Sequence, residues 1–281
     1  MGSLVKAEFR KIFTTGLWWG MLIPVAVLSF FASWAGTALG AIQEIQQSVG
    51  QPLPLGLLTV SMSTNFCTVF AVLFGALSFS SEHNNKSITT TYLTGNPRGA
   101  VMGAKLIAYA NLGLGYGLVN LVLASLGALL GAGLAGFGDP TDWFAVGAAG
   151  LLSMMLWTLL GVGLGAIITN PPLVIVTVLV YKFFELVLSP FLATSQWADL
   201  AGYLPGAAAS GIVGNIAVPV FIAAVAGDQE QNVPAEAFEF LHFTFGGTYG
   251  QPWWASVATF VGYTAVVIVG GWLLSRRRDI T

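Results

Sequence analysis

The chain has 281 residues, of which 56% are hydrophobic and only 8% are charged, and its mean hydropathy is +0.79. A soluble globular domain carries about 25% charged residues, so this composition excludes a soluble fold and indicates a polytopic membrane protein. Its length accommodates about six membrane-crossing helices of about 20 residues with their loops, and no separate soluble domain. We therefore predict an all-α fold with one transmembrane domain.

The N-terminal 16 residues contain an amphipathic pattern. In residues 4–13 the apolar side chains share one helical face, and the charged side chains share the other. The apolar face contains Leu4, Val5, Phe9, Ile12 and Phe13, and the charged face contains Lys6, Glu8, Arg10 and Lys11. This pattern predicts an interfacial helix whose basic side faces anionic headgroups, with contacts from Lys6, Phe9, Arg10 and Phe13. The alternative is that these basic residues only flank the first span.

Six apolar segments are long enough to cross a bilayer. They comprise residues 17–39, 57–79, 101–135, 143–168, 173–191 and 253–274. Within the fourth segment, Gly161 and Gly165 have the four-residue spacing that favours close helix packing. An even number of spans places both termini on the same side of the membrane.

The distribution of basic residues predicts which side that is. Lys and Arg concentrate in cytoplasmic segments, whereas acidic residues contribute little to orientation. Of the ten Lys and Arg residues, nine lie in or beside segments that this topology assigns to the cytoplasm: Lys6, Arg10, Lys11, Lys86, Arg98, Lys105, Arg276, Arg277 and Arg278. We predict a multi-pass protein of the inner or plasma membrane with both termini in the cytoplasm.

A polar segment, residues 80–98, separates the second and third spans. Ser80 or Ser81 is a candidate N-cap, and Glu82 would then occupy the first turn, where the helix dipole favours a negative charge. The Asn-Pro dipeptide near the end of the segment would terminate the helix. We predict a short cytoplasmic helix over residues 82–93, in which Glu82 either caps the helix or pairs with a basic residue of a partner.

The segment between the fifth and sixth spans, residues 194–252, is assigned to the outer side. Its part from residue 203 to residue 226 is apolar, but a seventh span there would place the C-terminal arginines outside. We predict instead one or two broken helices that enter the outer leaflet and return, forming an outer cap or a gate. The residues expected to interrupt the helix are Pro205, Gly206, Gly211, Gly214, Asn215 and Pro219.

Lys182 and Glu185 lie near the centre of the fifth span, where a charge normally needs a partner. Their i,i+3 spacing places them on one helix face, so we predict an ion pair. The pair either lines a transport path, as a gate or an ion-coupling site, or is purely structural. Candidate path-lining residues on the second and fifth spans are Asn65, Phe66, Phe70, Tyr181 and Phe184.

No metal site is predicted at His242, because no cysteine or second histidine lies nearby at metal spacing. We interpret His83 as a solvated surface histidine. The sequence also contains no catalytic constellation of a soluble enzyme. Since topology accounts for the basic residues, we predict neither an enzyme nor a nucleic-acid-binding protein.

The arrangement of an interfacial helix, six spans, a polar helix after the second span and a broken apolar segment before the last resembles the permease subunits of ABC-2-type ABC transporters. The local pattern that carries this resemblance is Glu82-x-x-x-Lys86-Ser87-Ile88, followed by Asn96-Pro97-Arg98 and by Lys105. The resemblance implies that residues 1–16 form a connecting helix and that residues 80–98 contain a coupling helix. Docking of an ATPase would then involve Glu82, His83, Asn84, Asn85, Lys86, Ser87 and Thr90.

The resemblance further implies a permease that pairs with a second copy or a related permease, and that contacts separate ABC ATPase subunits. ATP and magnesium would be bound by those ATPase subunits, since this sequence contains no GxxxxGK[ST] phosphate-binding loop. The expected function is export of an apolar or amphipathic substrate. Two other classes stay open: a secondary transporter or channel that uses Lys182 and Glu185, and a membrane scaffold that transports nothing.

Overall fold

The computed structural model describes residues 1–40, 54–85, 97–193, 198–227, 234–248 and 250–277. Every regular element in these ranges is helical. The helices are α1 (Gly2–Thr14), α2 (Leu17–Gly40), α3 (Leu55–Asn84), α4 (Arg98–Ala132), α5 (Pro140–Ile167), α6 (Pro171–Ala193), α7 (Ala198–Ala201), α8 (Pro205–Ala226), α9 (Ala235–Phe245) and α10 (Trp253–Arg277), with a 3-10 turn at Leu134–Phe137. The predicted all-α fold is confirmed for this part of the chain.

Seven of the described helices are long and apolar enough to cross a membrane, namely α2, α3, α4, α5, α6, α8 and α10. Six of them overlap the six predicted segments. The seventh, α8, lies where we expected broken helices. Length and composition alone therefore do not reproduce the predicted count of six spans.

The predicted break before Glu82 is wrong, because α3 continues through this segment to Asn84. The Ser80 hydroxyl donates to the Ala76 carbonyl at 3.0 Å, and the Ser81 hydroxyl donates to the Leu77 carbonyl. Each serine thus bonds to the preceding helical turn, so neither serves as an N-cap. The rest of the predicted coupling helix, including Lys86, Ser87 and Thr90, lies outside the described residues.

The predicted interruptions of α8 are also wrong, since the helix runs continuously from Pro205 to Ala226 with Pro219 inside it. Its small residues allow close packing instead. Gly214 packs directly on the backbone of Gly246, and the Asn215 side chain donates to Ser256 Oγ at 3.1 Å and accepts from the Thr248 amide at 3.0 Å. A membrane helix tolerates glycine where another backbone approaches it.

The first residues of α8 contact the middle of two neighbouring helices. The Gly206 amide donates to Glu185 of α6 at 2.6 Å, and the Ala209 carbonyl accepts a hydrogen bond from Ser153 of α5 at 3.4 Å. Residues 153 and 185 both lie more than ten positions from the start of their helices, so α8 begins at mid-depth in the bundle rather than at one of its ends.

Helices α3 and α5 form the centre of the bundle. Within their most apolar windows, 72% of α3 and 67% of α5 are buried, against 17% for both α6 and α10. The predicted glycine contact explains how closely they approach: a Cβ atom on Gly161 would overlap the Val72 carbonyl, and one on Gly165 would overlap the Ala76 carbonyl. Conversely, Gly75 of α3 faces the Thr158 carbonyl of α5.

This packing predicts different effects on stability for two glycine-to-alanine substitutions within helices. We expect Gly161→Ala to destabilise the fold by about 1–3 kcal/mol, because the added methyl group forces α3 and α5 apart. Gly115→Ala in α4 is the control, because no atom lies within 4 Å of the added Cβ. Thermal unfolding of the detergent-purified protein measures both. Equal midpoints for the two variants would contradict the close α3–α5 contact.

Candidate functional site: a buried charge network and two adjoining cavities

Four charged side chains meet where α1 lies against the ends of α3 and α4. Lys105 of α4 is only 1% exposed, and its Nζ lies 2.9 Å from Glu8 Oε2 of α1 and 2.8 Å from Glu82 Oε1 of α3. Lys11 of α1 completes the set, 3.0 Å from Glu8 Oε1 and 3.3 Å from Glu82 Oε1. We call these four residues the charge network. It holds three helices together with two positive and two negative charges.

The surroundings of Lys105 explain how it is accommodated in the bundle. Its ammonium also donates to the Ser78 carbonyl at 3.4 Å and lies 5.0 Å from the centre of the Phe79 ring. Two carboxylates, a carbonyl and an aromatic face together replace the water that burial removes. Removing one partner of such a buried pair leaves an uncompensated charge, which is more costly than the pair itself.

The pKa of Glu8 reflects the same balance. Burial by itself raises the pKa of this carboxyl, but the neighbouring Lys105 and Lys11 ammonium groups outweigh that effect and hold it below its ordinary value of 4.5. Because the folded-state pKa is lowered, the stabilisation from Glu8 is fully present above the ordinary pKa. It is lost as the pH falls through the lowered value.

The network corrects the predicted role of Glu82 and reveals a residue that the sequence analysis misjudged. Glu82 lies in the last turn of α3, not in the first turn of a helix, and it pairs with Lys105 and Lys11 of the same chain. Glu8, which we placed on the charged face of the helix, is 4% exposed. A signal was present in the sequence: Glu8 lies four residues before Ile12, on the same side of the helix. Both are buried, and Phe9 packs partly buried against the core.

The other predicted interfacial and docking residues vary in exposure. Phe13 is 52% exposed, Phe9 is partly buried, and Lys6 and Arg10 are exposed. At the end of α3, His83 is partly buried, and the docking candidates Asn84 and Asn85 are exposed.

A substitution of the central lysine should release α1. We expect Lys105→Met to lower stability by about 3 kcal/mol or more, because it leaves the Glu8 and Glu82 carboxylates with one cation between them. Lys6→Met, on the exposed side of α1, should have little effect. Thermal unfolding and limited proteolysis within α1 measure the difference.

Neutralising the two acids provides the decisive control. In the triple variant Lys105→Met, Glu8→Gln, Glu82→Gln, the unpaired buried charges are gone, so part of the lost stability should return. A triple variant that is no more stable than Lys105→Met would show that packing of the lysine stem, and not its charge, holds the helices.

The second group of charges lies at mid-depth, and here the predicted ion pair is wrong. Among the ion pairs of the described ranges, none joins Lys182 to Glu185. Lys182 Nζ lies 3.6 Å from the centre of the Trp157 ring and donates to Thr68 Oγ1 at 3.2 Å.

Glu185 takes its partners from α8 instead. Its Oε1 accepts from the amides of Gly206 and Ala207 at 2.6 and 2.9 Å. The N-terminus of a helix attracts an anion through its free amides and its dipole, so α8 competes successfully with Lys182 for this carboxylate.

Two cavities adjoin these charges. The inner cavity, of about 240 Å³, is lined by both Lys182 and Glu185, and the outer cavity, of about 670 Å³, lies towards the start of α10. Both are lined by Ser189, His242, Phe243 and Gly247, so they adjoin each other. Together they form a partly enclosed space that reaches from one end of the bundle to its middle.

The predicted path-lining residues divide between this space and other surfaces. Asn65 and Phe66 line the inner cavity. Phe70, Tyr181 and Phe184 line neither of the two cavities, and Phe184 is 58% exposed on α6. The residue that the sequence analysis missed is Trp157, whose ring supports the Lys182 ammonium.

His242 stands between the two cavities and acts as a neutral hydrogen-bonding group. Burial lowers the pKa of its imidazole, and Nδ1 lies 3.3 Å from the Gly246 carbonyl. In the parts of the chain that the structure describes, no three His, Cys, Asp or Glu side chains are grouped so that they could hold a metal ion.

Comparison of the sequence with models of known protein families finds no match, and comparison with curated proteins finds none either. The function is therefore argued from the charge network, the cavities and the course of the helices.

Proposed function

We propose that this chain is the membrane-spanning permease subunit of an ABC-2-type transporter, which forms the transport path and is driven by a separate ATPase. The observation that carries the proposal is the charge network. It fixes an amphipathic helix, α1, to the ends of α3 and α4 at the end of the bundle where the basic residues collect. A push on α1 or on the residues after Asn84 would therefore move both long helices together.

The course of the helices supports a six-span topology. Both ends of the described chain lie at one end of the bundle: Glu8 of α1 bonds to Lys105 of α4, and Arg98 of α4 donates to the carbonyls of Ser275 and Arg276 at 3.0 and 2.7 Å. An even number of crossings must lie between them. Since α8 begins at mid-depth, it is the candidate span that does not cross, and we infer that it is the re-entrant helix.

The same end of the bundle is cytoplasmic by the positive-inside rule, because Lys11, Arg98, Arg276 and Arg277 lie there. In this orientation the outer cavity opens on the external side and the charge network faces the ATPase. Export of an apolar or amphipathic substrate suits this arrangement. A second permease copy, or a related permease, would complete the path.

Labelling of single cysteines tests the orientation. The one native cysteine, Cys67, is fully buried, so variants carrying one exposed cysteine give a clean background. Asn85→Cys lies at the network end, and Leu134→Cys, at an 81% exposed position, lies beyond the opposite end of α4. In intact cells an impermeant maleimide should label Leu134→Cys only. Labelling of Asn85→Cys before permeabilisation would overturn the proposed topology.

Association with an ATPase tests the function itself. We expect the full-length permease, purified from its own cells with bound partners, to carry a vanadate-sensitive ATPase activity. Asn85→Trp places a large side chain at the docking end and should strongly reduce the ATPase recovered. Leu134→Trp, at the far end of the bundle, should leave it unchanged. A complex without ATP hydrolysis, or equal losses in the two variants, would contradict the proposal.

A second candidate function is favoured by the cavity charges alone. A secondary transporter or a channel would use Lys182 and Glu185 for ion coupling, and it would move its substrate in vesicles that contain no ATPase. The charge network offers nothing to such a mechanism, which is why we place the ATP-driven permease first.

A further inference from the structure

The inner cavity holds two opposite charges that do not neutralise each other directly. At i,i+3 spacing a lysine and a glutamate on one helix normally approach each other, and burial strengthens that tendency. Here the amide groups of α8 hold Glu185, and the Trp157 ring with Thr68 holds Lys182. Neutral groups thus hold each charge in place, and the two charges attract each other without forming a direct ion pair. The protein keeps a fixed dipole in its interior at a cost that a direct pair would avoid.

Both charges retain unused hydrogen-bonding capacity at the cavity. An ammonium has three donors, and Lys182 directs one of them to Thr68. Glu185 is 6% exposed, and its Oε2, which lies near the Tyr181 hydroxyl, has no hydrogen-bond partner of acceptable geometry. The Tyr181 hydroxyl interacts with this carboxylate within the chain. A cationic ligand group in the inner cavity would add the charged contact that Lys182 does not make directly.

The outer cavity offers a different chemistry. Its wall includes the apolar faces of Tyr203, Phe243 and Trp254. It also contains the Gln251 side chain, whose amide nitrogen and oxygen are both buried without a hydrogen-bond partner. The space is mainly apolar, with the exposed Glu239 carboxylate at its wall and Gln251 as a buried polar side chain without a hydrogen-bond partner. The volumes of the two cavities together lie within the range of about 300–1,000 Å³ that is typical of small-molecule sites.

We propose that the adjoining cavities bind an amphipathic zwitterion. Its ammonium group lies against Glu185 Oε2, its phosphate or carboxylate lies against Lys182, and its apolar part occupies the outer cavity. A ligand with both charges matches the fixed dipole of the site. A singly charged ligand would leave one charge of the site without compensation in a medium that screens charge poorly.

Two sources share this chemistry: a phospholipid-like amphiphile with an ammonium and a phosphate, and an amino-acid amphiphile with an ammonium and a carboxylate. Binding follows from the cavities alone. A role of the ligand as transported cargo rests on the permease function proposed above.

Four probes with matched eight-carbon tails test the proposal on the purified full-length protein in a neutral maltoside detergent. Octylphosphoethanolamine and α-aminodecanoic acid are zwitterions, octylammonium is a cation, and octyl sulfate is an anion. Calorimetric titration should show that at least one zwitterion binds about tenfold or more tightly than either singly charged probe. The tighter of the two zwitterions identifies the source. Equal affinity for all four probes would overturn the proposal.

Charge-removing variants should change the ranking rather than merely weaken binding. Lys182→Met leaves only the carboxylate of Glu185 in the inner cavity and should shift the preference towards octylammonium. Glu185→Gln leaves only the ammonium of Lys182 and should shift the preference towards octyl sulfate. Lys6→Met and Glu236→Gln remove matched charges outside the cavities and should leave the wild-type ranking intact. If both cavity variants lost affinity for all probes equally, the assigned contacts would be wrong.

These experiments distinguish failure of the proposed binding site from failure of the proposed permease function. The ranking of the four probe affinities is measured on the wild-type protein without a partner. It therefore tests the binding site even if Glu185→Gln disturbs α8. Zwitterion selectivity in a protein that recruits no ATPase would overturn the permease and leave the binding site standing. ATPase recruitment together with no selectivity among the probes would overturn the binding site alone.

Discussion

A charge buried among packed helices must find compensation within the protein, and the Lys105 ammonium meets this requirement by binding two carboxylates from two other helices. The consequence is mechanical as well as electrostatic. Helix α1 is attached to the bundle by Glu8 and Ile12, which are buried, and by Phe9, which packs partly buried against the core. Because the ends of α3 and α4 depend on the same lysine, the three helix ends behave as one unit, and this unit is the feature on which the proposed coupling to an ATPase depends.

Near the centre of the bundle, two further charges are also compensated within the protein, but by different groups. Lys182 contacts an aromatic ring and a hydroxyl group, and Glu185 contacts the first amides of α8, so the two residues form no direct ion pair. A direct ion pair would close the inner cavity to polar ligands, whereas two separately stabilised charges keep hydrogen-bonding capacity at its wall. The position of α8 is therefore part of the site, because its N-terminus lies at mid-depth, where it binds Glu185.

The distance between these two regions is bridged by the tight contact of α3 and α5. Gly75, Gly161 and Gly165 bring the two backbones together, so displacement of one helix has to move the other. The C-terminal end of α3 carries Glu82, and its middle carries Thr68, the hydroxyl partner of Lys182. Trp157 on α5 supports the same ammonium. These two closely packed helices thus connect the charge network with the inner cavity, as the proposed coupling of an ATPase to the proposed binding site requires.

Sequence alone determined the membrane class, the helical fold, the approximate positions of six long helices and the contact surface of Gly161 and Gly165. These follow from composition, segment length and residue spacing, which are properties of local stretches of chain. It misplaced the start of a helix at Ser80, the interruptions of α8, the exposure of Glu8 and the pairing of Lys182 with Glu185. Each of these errors concerns a polar group with several possible partners. Whether such a group bonds to its own helix, to a distant lysine or to the N-terminus of α8 depends on which elements meet in space, so only the tertiary structure decided it.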